Sequence, residues 1–300
     1  MEPSSDRPAE PPPGSVDEAG ETTEFPAQAS APAPGPELPV ATRDLRDQLP
    51  GLEPERHLTD WGRSHRFEGF VDRVLYDFLY HYWFRVEVEG LENIPERGAL
   101  LIGNHSGAVP YDGPMVAKAI REQAGDPRPV HLSVTGSLAG MPGLGMIVTK
   151  LGGVTNHPAN LHRLLYDEQE LVVVFPEGPV GARKAVARRY RMRGFDPGFV
   201  EIAAGAGVPI VPVAVLGAEE ASPIFARLDP VAALARLPGL PLTTPLPLPA
   251  KFRLRFLEPV SADGVVEDPG GPPHLAEEIR ALIQENLLEM VGERRSVWLG

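Results

Sequence analysis

The chain has no cysteine, and that one absence excludes disulfides, thiolate zinc sites and cysteine nucleophiles together. No uncharged apolar run approaches the roughly 18 residues that a transmembrane helix needs, so the chain is not expected to span a membrane. Positive charge is scarce: 28 Lys and Arg face 41 Asp and Glu, a formal net charge of -13. That balance disfavours nucleic acid as a partner. No secretory leader is expected, because the first residues are acidic where a leader is basic and contain no apolar stretch. An intracellular protein is expected. Several catalytic signatures are absent too. Neither Ser106 nor Ser137 sits in a Gly-x-Ser-x-Gly elbow, which argues against a serine esterase. His157 and His162 are not an i,i+4 pair and have no carboxylate motif around them, so no metal site is expected. Gly143-Leu-Gly145 lacks the third glycine of a dinucleotide loop and does not lead from a clear strand.

What is present is unevenly spread. Residues 1–50 hold ten acidic and three basic residues, and include Pro11-Pro-Pro-Gly14 and Ala31-Pro-Ala-Pro-Gly-Pro36. Such a stretch has no apolar periodicity to offset the entropy of ordering it. A disordered, acidic, proline-rich tail is expected over 1–55, a single folded domain over 56–292, and a short C-terminal tail over 293–300. Hydrophobic residues make up 42% of the chain, enough to bury a sizeable core.

The spacing of Phe67, Phe70, Val71, Val74, Leu75, Phe78, Leu79 and Tyr82 predicts a helix over 66–84 with one continuous apolar face. Tyr76, Tyr80 and Trp83 stand outside that stripe. Two readings of it compete: a helix packed on the core, or one lying at a membrane interface with Asp72, Arg73 and Asp77 kept wet. Beyond it, apolar runs at 85–89, 99–103, 130–134, 171–175, 209–216 and 251–257 read as strands. Helical patterns fall at 114–123, 158–167, 198–206 and 274–290. The alternation predicts an α/β fold with a mostly parallel central sheet flanked by helices. Residues 237–249, proline-rich and apolar, are expected to form an extended loop.

Chemistry concentrates where two predicted strands end. After Ile102 comes Gly-Asn-His-Ser-Gly-Ala-Val-Pro-Tyr-Asp112, placing one histidine and one carboxylate in a single loop. A histidine titrates near neutrality, and a neighbouring aspartate can fix its tautomer and stabilise its imidazolium form. Asp112 also stands where a helix N-cap is wanted, and two carboxylate oxygens can serve both purposes. The second segment, Phe175-Pro176-Glu177-Gly178, puts a carboxylate in a strand-to-loop turn. In open α/β sheets the crevice beyond the strands' carboxyl ends is the usual ligand site.

Together with Leu151-Gly-Gly-Val154 and Val208-Pro-Ile-Val-Pro-Val213, these blocks resemble, in their order and separations, the phospholipid/glycerol acyltransferase family. The resemblance covers about residues 85–260. It implies a glycerolipid acyltransferase-like fold and transfer of a fatty acyl group from acyl-CoA or acyl carrier protein to a glycerolipid hydroxyl, as in a 1-acylglycerol-3-phosphate acyltransferase, without metal or other cofactor. His105 would be the general base and Asp112 its orienting partner. Phe175, Pro176, Glu177 and Gly178 would form the acceptor-binding block, joined by Gly153, and residues 208–213 would be a largely structural strand lining the channel. Ser106 and Gly107 would offer oxyanion-binding amides.

Two departures stand out. Six residues separate His105 from Asp112 where the family pattern has four. The arginines that serve the acceptor phosphate in the family are missing, and those places read Val154-Thr-Asn156 and Pro179-Val180. A basic run with Arg183, Lys184, Arg188, Arg189, Arg191 and Arg193 follows closely and could bind acceptor phosphate, donor phosphates or lipid headgroups. The pattern is similar to a divergent branch, in which diacylglycerol or a long-chain alcohol is the alternative acceptor. A catalytically inactive lipid-binding protein is the third reading. The resemblance further implies a peripheral enzyme at the cytoplasmic face of a membrane, whose partners are the lipid surface and the thioester donor.

Overall fold

The computed structural model describes residues 58–105, 109–123, 128–178, 189–227 and 241–298. The expected N-terminal tail lies outside them, as do Ser106, Gly107, Arg183 and Lys184. A seven-stranded sheet is built from β1 (Glu87–Glu89), β2 (Ala99–Gly103), β3 (Val130–Val134), β4 (Gly153–Thr155), β5 (Leu171–Val174), β6 (Ile210–Leu216) and β9 (Arg253–Phe256), in the order β1-β9-β6-β2-β5-β3-β4. Every neighbouring pair is parallel except β6 with β9. A two-stranded ribbon, β7 (Ala226–Arg227) with β8 (Pro241–Leu242), stands apart, so part of the expected proline-rich loop is paired strand.

The central strands are buried along their whole length, β2 and β6 included, as their unbroken apolar runs require of strands covered on both faces. Alternate residues feed two cores. On one face Leu101, Val173 and Val213 pack with α2 (Asp112–Gln123) through Met115, Ala119 and Ile120. On the other, Ile102, Val172 and Ala214 pack with α5 (Pro158–His162), α6 (Gly198–Ala206) and α8 (Gly271–Glu293). Three short helices complete the fold: α3 (Gly136–Ala139), α4 (Leu144–Lys150) and α7 (Ala218–Ala221).

The chain leaves β2 through α2 on one face and leaves the adjacent β5 through α6 on the other. The carboxyl ends of β2 and β5 are thus a topological switch point, where a crevice opens between diverging connections. Ile102 pairs with Val174 across these strands, so His105 and Glu177 each stand three residues beyond the same rung.

The first helix, α1 (His65–Val71), continues through π-helical turns at Asp72–Tyr76 and Leu79–Trp83. Of its expected apolar stripe only Leu79 is buried in the core, with Phe67 and Val71 half-buried. Phe70, Val74, Leu75, Phe78 and Tyr82 are exposed, Tyr82 by 73%, whereas Leu79, Tyr80 and Phe84 are buried. The acidic residues turn inward. Lys118 of α2, its side chain only 1% exposed, pairs with Asp72, Asp77 and Glu122, and Arg63 and Arg121 pair with Glu68. Each π turn uses an i→i+5 step, so the face predicted from 3.6-residue periodicity is not kept along the element. Asp77, His81 and Glu122 have metal-ligand proximity among the described residues, and the Lys118 ammonium sits 2.5 Å from Asp77 and 2.6 Å from Glu122, already pairing with both carboxylates. The expected C-terminal tail is held as far as Trp298: Arg294 pairs with Glu220, and Lys251 donates its amide to the Val297 carbonyl.

Candidate active site

The buried end of β2 sets the position of the histidine. Asn104 is fully buried, and its side-chain amide donates to the Val215 carbonyl (2.9 Å) while its oxygen accepts the Val215 amide (2.8 Å). It thereby continues the pairing with β6 by one side-chain rung as the backbone turns out of the sheet. At His105, Nδ1 lies 2.9 Å from Asp112 Oδ2, and the ring stacks on Phe175 at 4.7 Å between centroids. With hydrogen on Nδ1, this contact holds the tautomer whose basic lone pair is on Nε2.

Asp112 opens α2 and is fully buried. Its Oδ1 accepts the Gly113 amide at 3.0 Å, so the carboxylate serves the helix start and the histidine at once. Of the six intervening residues, described ones are fastened before α2: Val109 donates its amide to Ser222 Oγ (3.1 Å), and Tyr111 donates to the Val109 carbonyl. Nothing in the sequence around Ser222 marks it as a partner of this loop.

Glu177 is buried at the same crest. Its Oε1 accepts the His105 amide (3.2 Å) and its Oε2 the Arg193 amide (2.9 Å). The carboxylate expected to hold the acceptor therefore ties the histidine loop to residue 193. Gly178 has φ 59°, a left-handed turn that suits glycine, and donates its amide to the Phe175 carbonyl. Gly153 lies in β4, which the sequence patterns miss; a Cβ there would meet Val148 at 2.4 Å.

A cavity of about 1790 Å³ surrounds these groups, well above the roughly 300–1,000 Å³ of a small-molecule pocket. His105, Asp112, Gly153 and residues 175–178 all line it. Its wall is largely apolar, with Leu132, Leu144, Ile147, Leu161, Phe199 and Ile202 among the contributors. Tyr76 lines it too, and burial pushes that phenol up to about 12, so it stays neutral at physiological pH. No described residue of β6 lines the cavity; the segment expected to line the channel is a core strand, buried on both sides. Of the other residues weighed, Ser137 Oγ contacts Thr135 Oγ1, His157 caps α5, and His162 stacks on Tyr166.

Residues 85–216 match the family model described as Acyltransferase. Uncharacterized proteins of Mycobacterium tuberculosis (strain ATCC 25618 / H37Rv) and Mycobacterium bovis are each 36% identical to the chain over 274 residues, covering 85% of it and 75% of their own length. This chain belongs to the acyltransferase family. A Mycobacterium leprae relative is 35% identical, over 85% of the chain and 73% of its own length. The fold is similar to that of the crystal structure of the 1-acyl-sn-glycerophosphate (LPA) acyltransferase, PlsC, from Thermotoga maritima. The TM-score is 0.51 at 22% identity, over 77% of this chain and 80% of that one. As a member of the acyltransferase family the protein is an acyltransferase enzyme, and its mostly parallel sheet flanked by helices is the fold class the sequence predicts.

Proposed function

We propose that the enzyme transfers a fatty acyl group from a thioester of CoA or acyl carrier protein to a glycerolipid hydroxyl, in the manner of a 1-acylglycerol-3-phosphate acyltransferase. The observation that carries this reading is the 2.9 Å His105–Asp112 contact at the crest of a large apolar cavity. His105 Nε2 takes the proton of the acceptor hydroxyl as its oxygen attacks the thioester carbonyl carbon. The C–S bond then breaks, the departing thiolate takes the proton from the imidazolium, and an ester and a free thiol result. Asp112 holds the ring and its positive charge throughout. No acyl-enzyme forms, so the chemistry needs no nucleophilic side chain.

Membrane contact is part of the proposal. No helix among the described residues is long and apolar enough to cross a membrane. The inverted first helix instead presents Phe70, Val74, Leu75, Phe78 and Tyr82 to the outside, and Leu75 also lines the cavity. A lipid leaving the bilayer surface would meet an apolar path to His105. A second acceptor class, diacylglycerol or a long-chain alcohol, is supported by the missing family arginine: Val154-Thr-Asn156 stands in its place, and the neutral Asn156 lines the cavity.

The test is an assay with the full-length protein, a labelled acyl-CoA or acyl carrier protein, and a panel of lysolipids, diacylglycerol and fatty alcohols. Thiol should be released only with an acceptor present. His105→Ala should lower the rate by about 10²–10⁴-fold, the usual contribution of a positioned base. Acceptor-independent fatty-acid release, or full transfer by the variant, would refute the proposal.

A further inference from the structure

Two elements carry exposed apolar surface at the rim of the cavity. Leu75 of the first helix and Leu144 and Ile147 of α4 are each 41–45% exposed and also line the cavity, as does Val109 in the loop before α2. Beyond that rim the apolar surface continues, through Phe70, Val74, Phe78 and Tyr82 on the helix and Met146 on α4, all exposed. The two elements are joined where the chain enters the helix. Ser64, the N-cap, donates its amide to the Lys150 carbonyl at the end of α4 (3.0 Å), and the Lys150 ammonium lies 5.8 Å from the Phe67 ring centre. Charge is sorted across this surface. The carboxylates of the helix turn toward cations of the protein: Glu68 toward Arg63 and Arg121, Asp72 and Asp77 toward Lys118. Its arginines do the opposite. Arg66 and Arg73 are exposed, one turn from Phe70 on either side, and among the described residues neither has a carboxylate within ion-pair distance. Arg73 does feel the charge of Asp77, which Lys118 already holds. Around α4 the sequence has no acidic residue from Pro127 to Tyr166, so that element adds apolar surface and Lys150 without a carboxylate.

We propose that this composite face docks on a bilayer with net-negative headgroups. Arg66 and Arg73 engage the lipid phosphates, and the apolar side chains of the first helix and of α4 enter the hydrocarbon boundary beneath them. The inference rests on the membrane contact proposed above and adds to it a second contacting element, α4, and a lipid class. An arginine stem lies along apolar surface while its guanidinium stays among the headgroups, and the planar fork suits phosphate oxygens. An anionic leaflet attracts basic residues held near its surface. It repels the rest of a chain whose net charge is -13, so attraction is confined to this face and turns the cavity rim toward the lipid. A neutral bilayer offers apolar burial alone and lacks that orienting field.

Flotation of the full-length protein is measured on vesicles of phosphatidylcholine alone and of phosphatidylcholine with phosphatidylglycerol. Binding should be roughly tenfold or more stronger on the anionic vesicles. Raising the salt to about 1 M, where the screening length falls to about 3 Å, should erase the difference. Arg66→Gln/Arg73→Gln should lose that increment, whereas Arg66→Lys/Arg73→Lys keeps the charge and most of the increment. Met146→Asp should weaken binding to both vesicles by about tenfold or more. These positions are exposed, so the circular dichroism of each variant should match the wild type. Equal wild-type binding to the two vesicles would overturn the inference and leave membrane contact standing, and binding to neither would refute membrane contact and the inference with it. Anionic binding undiminished in the glutamine variant would take the arginines out of the face, and flotation of Met146→Asp equal to wild type would take α4 out; either result overturns the composite face. Anionic binding that the glutamine variant loses, with no acyl transfer to any acceptor, would sink the transferase reading and leave the docking face in place.

Discussion

Glu177 shows how much of this site depends on backbone held by side chains. Its two carboxylate oxygens accept the amides of His105 and Arg193, so one residue sets the histidine loop against the segment that leads to α6. Glu177→Gln keeps one acceptor but turns an NH₂ group toward the other amide. An unsatisfied buried amide costs about 1–3 kcal/mol, and the displacement falls on His105. We expect kcat to drop roughly tenfold to a hundredfold with both KM values near wild type. A large rise in acceptor KM with kcat preserved would instead mark Glu177 as a direct acceptor ligand. At this scale the His105–Asp112 pair was legible, because both residues stand in one short loop after a clear strand. Asn104 and Ser222 were not, since their partners Val215 and Val109 are 111 and 113 residues away.

Among the elements, the first helix departs most from its expected form. Its carboxylates face α2, where Lys118 supplies a counter-charge for Asp72 and Asp77 alongside Glu122 of α2 itself. Lys118→Met leaves those carboxylates without it. The loss should be about 1–3 kcal/mol by urea unfolding, below the roughly 3–5 kcal/mol for an ion stranded in a dry core, because the carboxylates keep access to water. Acid should act on the same network. Burial raises Glu68, but the hydrogen bond and charge of Arg63, with Arg121, outweigh it and hold the carboxyl below its ordinary value; the Lys118 hydrogen bond holds Asp77 down likewise. Groups depressed in the folded state contribute stability above their ordinary pKa and lose it as pH falls through the depressed one. Burial lowers Lys118, yet its bonds to Asp77, Glu122 and Asp72 raise it overall, so its contribution is lost only as pH climbs above the lysine range. Thermal stability should be flat near neutrality and fall below the carboxylate range, and Lys118→Met should flatten that acid limb. An unchanged acid limb would remove the network from the explanation.

Over the whole molecule, the exposed stripe of the first helix adjoins the cavity that holds His105, since Leu75 is exposed and lines it. Removing residues 67–84 to test membrane contact would also remove the buried Leu79, Tyr80 and Phe84 and so unfold the face it probes. Phe70→Asp with Phe78→Asp changes only exposed positions. Liposome flotation of that full-length variant should fall several-fold, since each large apolar side chain contributes about 1.5–3 kcal/mol when buried in lipid, while its circular dichroism stays that of the wild type. Flotation equal to wild type would refute this helix as the anchor.

Apolar patterning determined β2, β3 and α6 to the residue, because a strand or helix covered by its neighbours must be apolar along the covered side. The sequence also contained the histidine and both carboxylates of the site, each just past a strand where an α/β sheet opens. β4 escaped notice as three residues after a glycine pair, and α3 and α4 because Gly140, Pro142 and Gly143 interrupt any helical pattern. Only the tertiary structure decided which side of the first helix faces water, and which backbone groups Asn104, Glu177 and Ser222 hold. Counter-charges and hydrogen-bond partners belong to two distant segments at once, and neither segment's periodicity records the other.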